Sequence, residues 1–257
     1  MNAPAAPAPH RLLVINPNTT EAITALLRQH LHAALAAQAV QVDSVTARFG
    51  APYIADEAGY AVAGHACLDA WAARLAQVPG QAPDAVLIGC FGDPGLWALR
   101  ESAPVPVTGL AEAAFTEAAR HGRFAVVTGG ARWRPMLERL AQALGFGAQL
   151  ALVHTVAPSG AALAADPAAA HQLLATACQA AAVRSGARSV VLGGAGLAGM
   201  AALVQPLVNV PVIDSVAAGA RHAATLFGQP GERAQAGFDV PSTGLSAELA
   251  LLAPRSV

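Results

Sequence analysis

The chain of 257 residues contains no lysine; all fifteen of its basic residues are arginine. A Schiff-base lysine is therefore excluded, and with it pyridoxal-phosphate chemistry. A Walker A loop is excluded too, because its lysine must reach the terminal phosphates. Charge of either sign is scarce, at 12% of residues, and sixteen carboxylates against fifteen arginines leave a formal net charge of −1. No basic field is available to neutralise a phosphate backbone, so nucleic acid is not expected as a partner. Cysteine is limited to Cys67, Cys90 and Cys178, an odd set without ligand spacing. Neither a disulfide framework nor a structural zinc is indicated. The eight histidines are scattered, and no metal site is expected. The opening MNAPAAPAPH lacks both a basic and an apolar signal region. It reads as a disordered tail over residues 1–10, which points to a cytoplasmic protein.

Hydrocarbon, by contrast, is abundant, at 54% hydrophobic residues. That is enough to fill one large α/β domain or two lobes, and so few surface charges favour a homo-oligomer. The uncharged stretch from Ser189 to Ile213 is long enough to span a bilayer. Gly193, Gly194, Gly196, Gly199, Pro206 and Pro211 instead punctuate it into strand, glycine turn, short helix and strand, and no membrane partner is expected.

Short β-branched runs (RLLVIN, VQVDSVTA, DAVLIGC, VPVTGL, RFAVVT, ALVHTV, SVVLGG, VPVID) alternate with Ala/Leu-rich helical stretches, the pattern of βαβ units and mainly parallel sheet. The pattern also repeats. DAVLIGCFGDPGL followed by PVPVTGLAEAA is echoed by RSVVLGGAGLAGM followed by NVPVIDSVAAG at nearly equal offsets, and RLLVINPNTT likewise matches RFAVVTGGAR at a somewhat larger one. The expected fold is thus two pseudo-symmetric, flavodoxin-like α/β lobes with a small-molecule site in the cleft between facing strand ends. The boundaries expected are lobe 1 over residues 11–112 plus 216–257, and lobe 2 over 113–215.

Cys90 ends an apolar strand and stands out as the candidate catalytic nucleophile or base. Asp93 and Pro94 look like the N-cap and first residue of a following helix. The amides of Phe91 and Gly92 would then face the cleft and lower the thiol pKa. Cys67 and Cys178 lie in helical patterns and read as core. Asn16, at the end of the first strand, aligns with Thr128 in the second copy; the pair could grip two ends of a polar substrate. Asn18 or Thr19 could cap the helix that follows. Gly194, Ala195 and Gly196 align with the Cys90 loop and read as backbone that accommodates an anion. Their GxGxxG pattern, with Asp214 about 20 residues on, also matches a dinucleotide fingerprint. The short, proline-interrupted helix after it argues against that reading, and no cofactor is expected. Asp56 and Glu57 read as first-turn charges of a helix, the three tryptophans as core or lobe packing, and Tyr53 as a residue able to reach the cleft from a loop.

INPNTT, GCFGDPGL, VPVTGLAEAA, RFAVVT, VLGGAGLAGM and VPVIDSVAA together resemble the aspartate/glutamate and hydantoin racemase superfamily over residues 11 to 225, with INPNTT and CFGDPGL on its hydantoin/allantoin side. The resemblance implies a cofactor-independent isomerase in which two cysteines exchange the substrate's α-proton from opposite faces. It places the first on Cys90. In the second-lobe motif, usually GCAGM, the cysteine falls on Gly194 and the methionine on Leu197, so one of the two thiols is missing. Three outcomes stay open. One is a racemase or epimerase of a hydantoin-like or amino-acid-derived substrate, with water, Asp214 or another cleft residue replacing the second thiol. Another is a single-cysteine enzyme resembling arylmalonate decarboxylase or maleate isomerase. The last is a small-molecule binder without catalysis.

Overall fold

The computed structural model describes residues 8–157, 162–163, 166–232, 238–240 and 242–252; most of the N-terminal tail lies outside them. Two four-stranded sheets form the frame. The first holds β1 (His10–Asn16), β2 (Val40–Thr46), β3 (Ala85–Ile88) and β4 (Val107–Gly109) in the order β2-β1-β3-β4. The second holds β5 (Phe124–Gly129), β6 (Leu150–Val156), β7 (Ser189–Leu192) and β8 (Val212–Asp214) in the order β6-β5-β7-β8. All neighbours run parallel, so the sequence repeat is a repeat of topology. Leu12, Leu13, Val14 and Ile15 are all buried, as expected for a central parallel strand covered on both faces.

Helices α1 (Glu21–Ala34), α2 (Glu57–Gln77), α3 (Leu96–Ser102) and α4 (Leu110–Ala119) connect the strands of the first sheet and lead into the second. Helices α5 (Trp133–Ala143), α6 (Pro167–Ser185) and α7 (Met200–Val204) serve the second lobe. The chain then returns: α8 (Ser215–Thr225) packs on α1, α4, β3 and β4. The last helix, α9 (Ala247–Ala250), packs on α2, where Arg48 joins Asp69 at 2.7 Å and Glu248 at 3.1 Å. Phe115 ties the lobes together, 5.9 Å from Phe91 and 5.4 Å from Phe124 between ring centres. Among the described residues, no helix is long and apolar enough to cross a membrane.

Registers make the pseudo-symmetry exact at the strand ends. Ile15 pairs with Ile88 as Val127 pairs with Leu192. The Gly89 amide donates to the Ile15 carbonyl at 2.8 Å, and the Gly193 amide to the Val127 carbonyl at 2.9 Å. The next residues, Cys90 and Gly194, therefore occupy equivalent places in the two lobes.

Candidate active site

A cavity of about 310 Å³ opens between the two sets of strand ends. Lobe 1 brings Cys90 and Phe91 to it from the β3 loop, Asn18, Thr20 and Ile23 from the start of α1, and Pro52, Tyr53 and Ile54 from the β2 loop. Lobe 2 brings Thr128 from the end of β5, Trp133 from α5, and Gly193 to Gly196 from the β7 loop. Cys90, Phe91, Thr128, Gly194, Ala195 and Gly196 thus converge as the sequence indicates. Tyr53 also reaches the cleft, its hydroxyl donating to the Gly129 carbonyl at 3.4 Å.

Asn16 does not reach it. Its side chain is wholly buried, with Nδ2 donating to Asn18 Oδ1, the Thr20 carbonyl and Thr24 Oγ1 and Oδ1 accepting from the Asn18 amide. The residue shapes the turn that carries Asn18 and Thr20 and does not line the cavity. Replacing Asn16 by Ala leaves the Asn18 amide without its acceptor and removes the buried bonds from Nδ2, and is expected to cost about 1–3 kcal/mol in urea unfolding. The cap of α1 falls one residue beyond those expected. Thr20 holds the N-cap place without a side-chain bond to the helix amides, its hydroxyl donating instead to the Pro52 carbonyl at 2.7 Å, while its amide donates to Asn18 Oδ1 at 2.9 Å.

Gly92 also lies outside the cavity lining. Its carbonyl accepts from the Tyr60 hydroxyl at 2.9 Å, its amide faces the Asp93 carboxylate, and the Trp133 ring occupies the space that a Cβ would need. With φ at +151°, the position takes glycine for both its backbone and its neighbour.

Asp93 does not cap the helix beside it. The helix begins later, at Leu96 with Gly95 as N-cap, because the Asp93 carboxylate reaches across to the amides of Ala111 at 2.9 Å and Glu112 at 2.8 Å. It caps α4 instead, in a left-handed backbone conformation with φ +52°. Burial pushes its pKa up to about 7 against the pull of those amides.

This placement reverses the expectation for the thiol. Burial, and then the Asp93 carboxylate, push the Cys90 pKa well above its ordinary value. The resting group is the neutral thiol. Iodoacetamide labelling of Cys90 should therefore be slow at pH 7 and climb about tenfold per pH unit through pH 9. Asp93→Asn, which removes the opposing charge, should shift that rise to lower pH. The same carboxyl bears on stability. An acid whose pKa rises on folding takes up a proton in the native state, so it costs stability progressively as pH climbs from 3.8 to about 7. The Asn variant should show a flatter stability profile across that window in urea titrations.

Asp214 is likewise committed. It accepts from the amides of Val216 and Ala217, capping α8, and from the Gly199 amide at 2.7 Å. It does not line the cavity, and its carboxylate is taken up by these backbone amides. Ala195 and Gly196 open a single 3-10 turn, Ala195–Leu197, and as first residues of that turn their amides have no acceptor within it. The remaining expectations divide. Cys67, Cys178 and Trp71 are buried core, and Asp56 caps α2 through the Gly59 amide. Trp97 is 48% exposed, and Trp133 is a cavity wall. Nothing in its sequence neighbourhood marks Trp133 for that role except Gly130 just before it. Among the described residues, no group of three His, Cys, Asp or Glu side chains could hold a metal ion.

Two parallel-sheet lobes facing each other across a small cavity, with a thiol on one strand-end loop, are the layout of an enzyme that holds a small substrate between its lobes. The comparisons with known proteins specify the class. The profile of the Asp/Glu/Hydantoin racemase family matches residues 12–223, and the chain belongs to that family. It is 35% identical over 222 residues to the hydantoin racemase of Rhizobium meliloti, covering 84% of this chain and 88% of that one. The structure of allantoin racemase from Klebsiella pneumoniae superposes with a TM-score of 0.79 at 31% identity, covering 96% of this chain and 95% of that one. The fold alone is shared with the maleate isomerase of Pseudomonas putida S16, at TM-score 0.58 and 16% identity. The homologues at 31–35% identity are racemases, and this chain is an isomerase of their kind.

Proposed function

We propose that the protein racemises or epimerises a neutral, hydantoin-like substrate, with Cys90 exchanging the proton of the carbon between ring nitrogen and ring carbonyl. The observation that carries this reading is the composition of the cavity: one cysteine thiol and no charged side chain among its described lining residues. A free amino acid, a malonate or a maleate brings carboxylates that need compensating charge when desolvated. A hydantoin ring is neutral and asks only for hydrogen bonds.

In the proposed reaction the Cys90 sulfur, once ionised, takes the α-proton and the electron pair moves onto the ring carbonyl oxygen as an enolate. The amides of Ala195 and Gly196 stabilise the charge. A thiol of raised pKa is scarce as thiolate but a stronger base when formed, which suits a weakly acidic carbon. The proton returns to the opposite face from water beside Thr128 and Gly194, because glycine offers no group of its own and Asp214 is occupied. The product is the enantiomer, and sulfur gives its proton back to solvent.

A second reading draws on Gly194. A single thiol serves one face, which suits protonation after loss of CO₂ from an arylmalonate, or isomerisation of a double bond. Both substrates are dianions, which the uncharged lining disfavours. Proton NMR in deuterium oxide with hydantoins, free amino acids and arylmalonates, read together with optical rotation, separates the cases. Exchange with loss of rotation on hydantoins is expected. Decarboxylation to one enantiomer would replace the proposal with the second reading, and inertness towards all three classes would leave a binder.

A further inference from the structure

We infer that the last helix, α9, is a strap that acts on substrate binding: through Glu248 it completes a two-carboxylate clamp on Arg48, and Arg48 holds the loop that forms part of the lobe 1 wall of the cavity. Arg48 and Glu248 are positioning residues and line no part of the cavity themselves. The inference rests on the cavity being the substrate site, as proposed above, and concerns what keeps its wall in place.

The loop is the stretch 47–56 between β2 and α2. It is neither helix nor strand, and its Pro52, Tyr53 and Ile54 line the cavity. Its tip is tied by single hydrogen bonds between neutral groups. The Thr19 amide donates to the Ala51 carbonyl at 3.2 Å, the Thr20 hydroxyl to the Pro52 carbonyl at 2.7 Å, and the Tyr53 hydroxyl to the Gly129 carbonyl at 3.4 Å. Such bonds are the weaker kind.

The base of the loop is held by charge. Arg48 donates from Nε at 2.9 Å and Nη2 at 2.7 Å to the two oxygens of Asp69. It donates from Nη1 at 3.1 Å and Nη2 at 3.2 Å to those of Glu248, 200 residues further along the chain. Both contacts are forked, the geometry in which arginine binds a carboxylate most firmly. Asp69 lies on α2 and its side chain is 2% exposed; burial raises its pKa, and the bonds from Arg48 and Ser246 more than reverse that. Phe49, the next residue of the loop, meets His65 of α2 edge-on with centroids 5.0 Å apart. Helix α9 has only four residues and adds one buried side chain, Leu249, to the core. A helix so short has no stability of its own. Its charged contact goes to the loop that walls the cavity.

The test uses the full chain with Glu248→Gln and Glu248→Arg. Both leave Arg48 its pair with Asp69, and Glu248 is partly exposed, so the fold should survive. Amide hydrogen–deuterium exchange over residues 48–56 should accelerate about three- to fivefold in the Gln variant and about tenfold in the Arg variant, with β3 unchanged. With 5-benzylhydantoin, KM for α-proton exchange should rise by similar factors while kcat stays within about twofold, because the loop holds the substrate and takes no part in the proton transfer. Glu117→Gln, which breaks the Arg221 pair between α4 and α8, should change neither readout. Unchanged amide exchange over 48–56 would overturn the strap, as would faster exchange there with KM unaltered or a fall in kcat alone. A wild type inert towards the hydantoin would remove the substrate reading; faster amide exchange over 48–56 in the variants would still support the strap, and unchanged exchange would overturn it.

Discussion

Cys90→Ser should lose α-proton exchange by about a thousandfold or more while keeping its fold. The side chains are nearly the same size and the position is 8% exposed, so melting temperature should change little. Chemistry is what changes. A serine hydroxyl in the same buried place, next to the same Asp93 carboxylate, cannot ionise in the range where even the thiol is reluctant. Proton NMR in deuterium oxide measures the loss directly, and circular dichroism melting checks the fold. Near-normal exchange in the serine variant would mean that another group removes the proton, and the assignment of Cys90 would fall.

Gly194→Cys should change stereochemistry more than speed. The residue is the equivalent of Cys90 in lobe 2, and a Cβ there meets only Leu197, at 3.4 Å, so space for a thiol exists. The backbone resists: at φ +144° an L residue costs about 1–3 kcal/mol. For a chain of this size that lowers the melting temperature by roughly 2–4 °C per kcal/mol. A thiol on this face would donate its own proton in place of water. The ratio of racemisation to deuterium exchange should therefore rise, independently of how much protein is folded. An unchanged ratio in a folded variant would show that the loop holds the new sulfur away from the carbon and that water is sufficient.

The sequence shows its own architecture because parallel strands buried on both faces must be continuous runs of branched hydrocarbon. Such runs, broken by glycine and proline, are visible without coordinates. The central strands β1, β3, β5 and β7 follow that signal, whereas the edge strands β2 and β6 are only partly buried, and the echo of DAVLIGC in SVVLGG translates directly into the equivalence of Cys90 and Gly194. Where the reading fails, the failure is about side-chain partners. Asn16 sits at a strand end facing the cleft region, yet turns back into its own loop. Asp93 stands before a proline in a good capping context, but the competing amides at Ala111 and Glu112 win because α4 starts beside it in space. Trp133 could have been suspected from the small Gly130 ahead of it; that it reaches Gly92 in the other lobe is a distance no spacing encodes.

What the sequence by itself determined is therefore the set of available chemistries: no lysine, one thiol in a strand-end loop, a glycine at the equivalent place of the second copy, and two copies of one lobe. These depend on residue identity and on short-range periodicity, both of which are written along the chain. The protonation state of Cys90, the occupation of Asp214 and the uncharged, indole-walled cavity were decided by the tertiary structure alone. They arise from burial and from neighbours that the fold brings together across the lobes, and a group's pKa and hydrogen-bonding capacity belong to that environment and not to the residue.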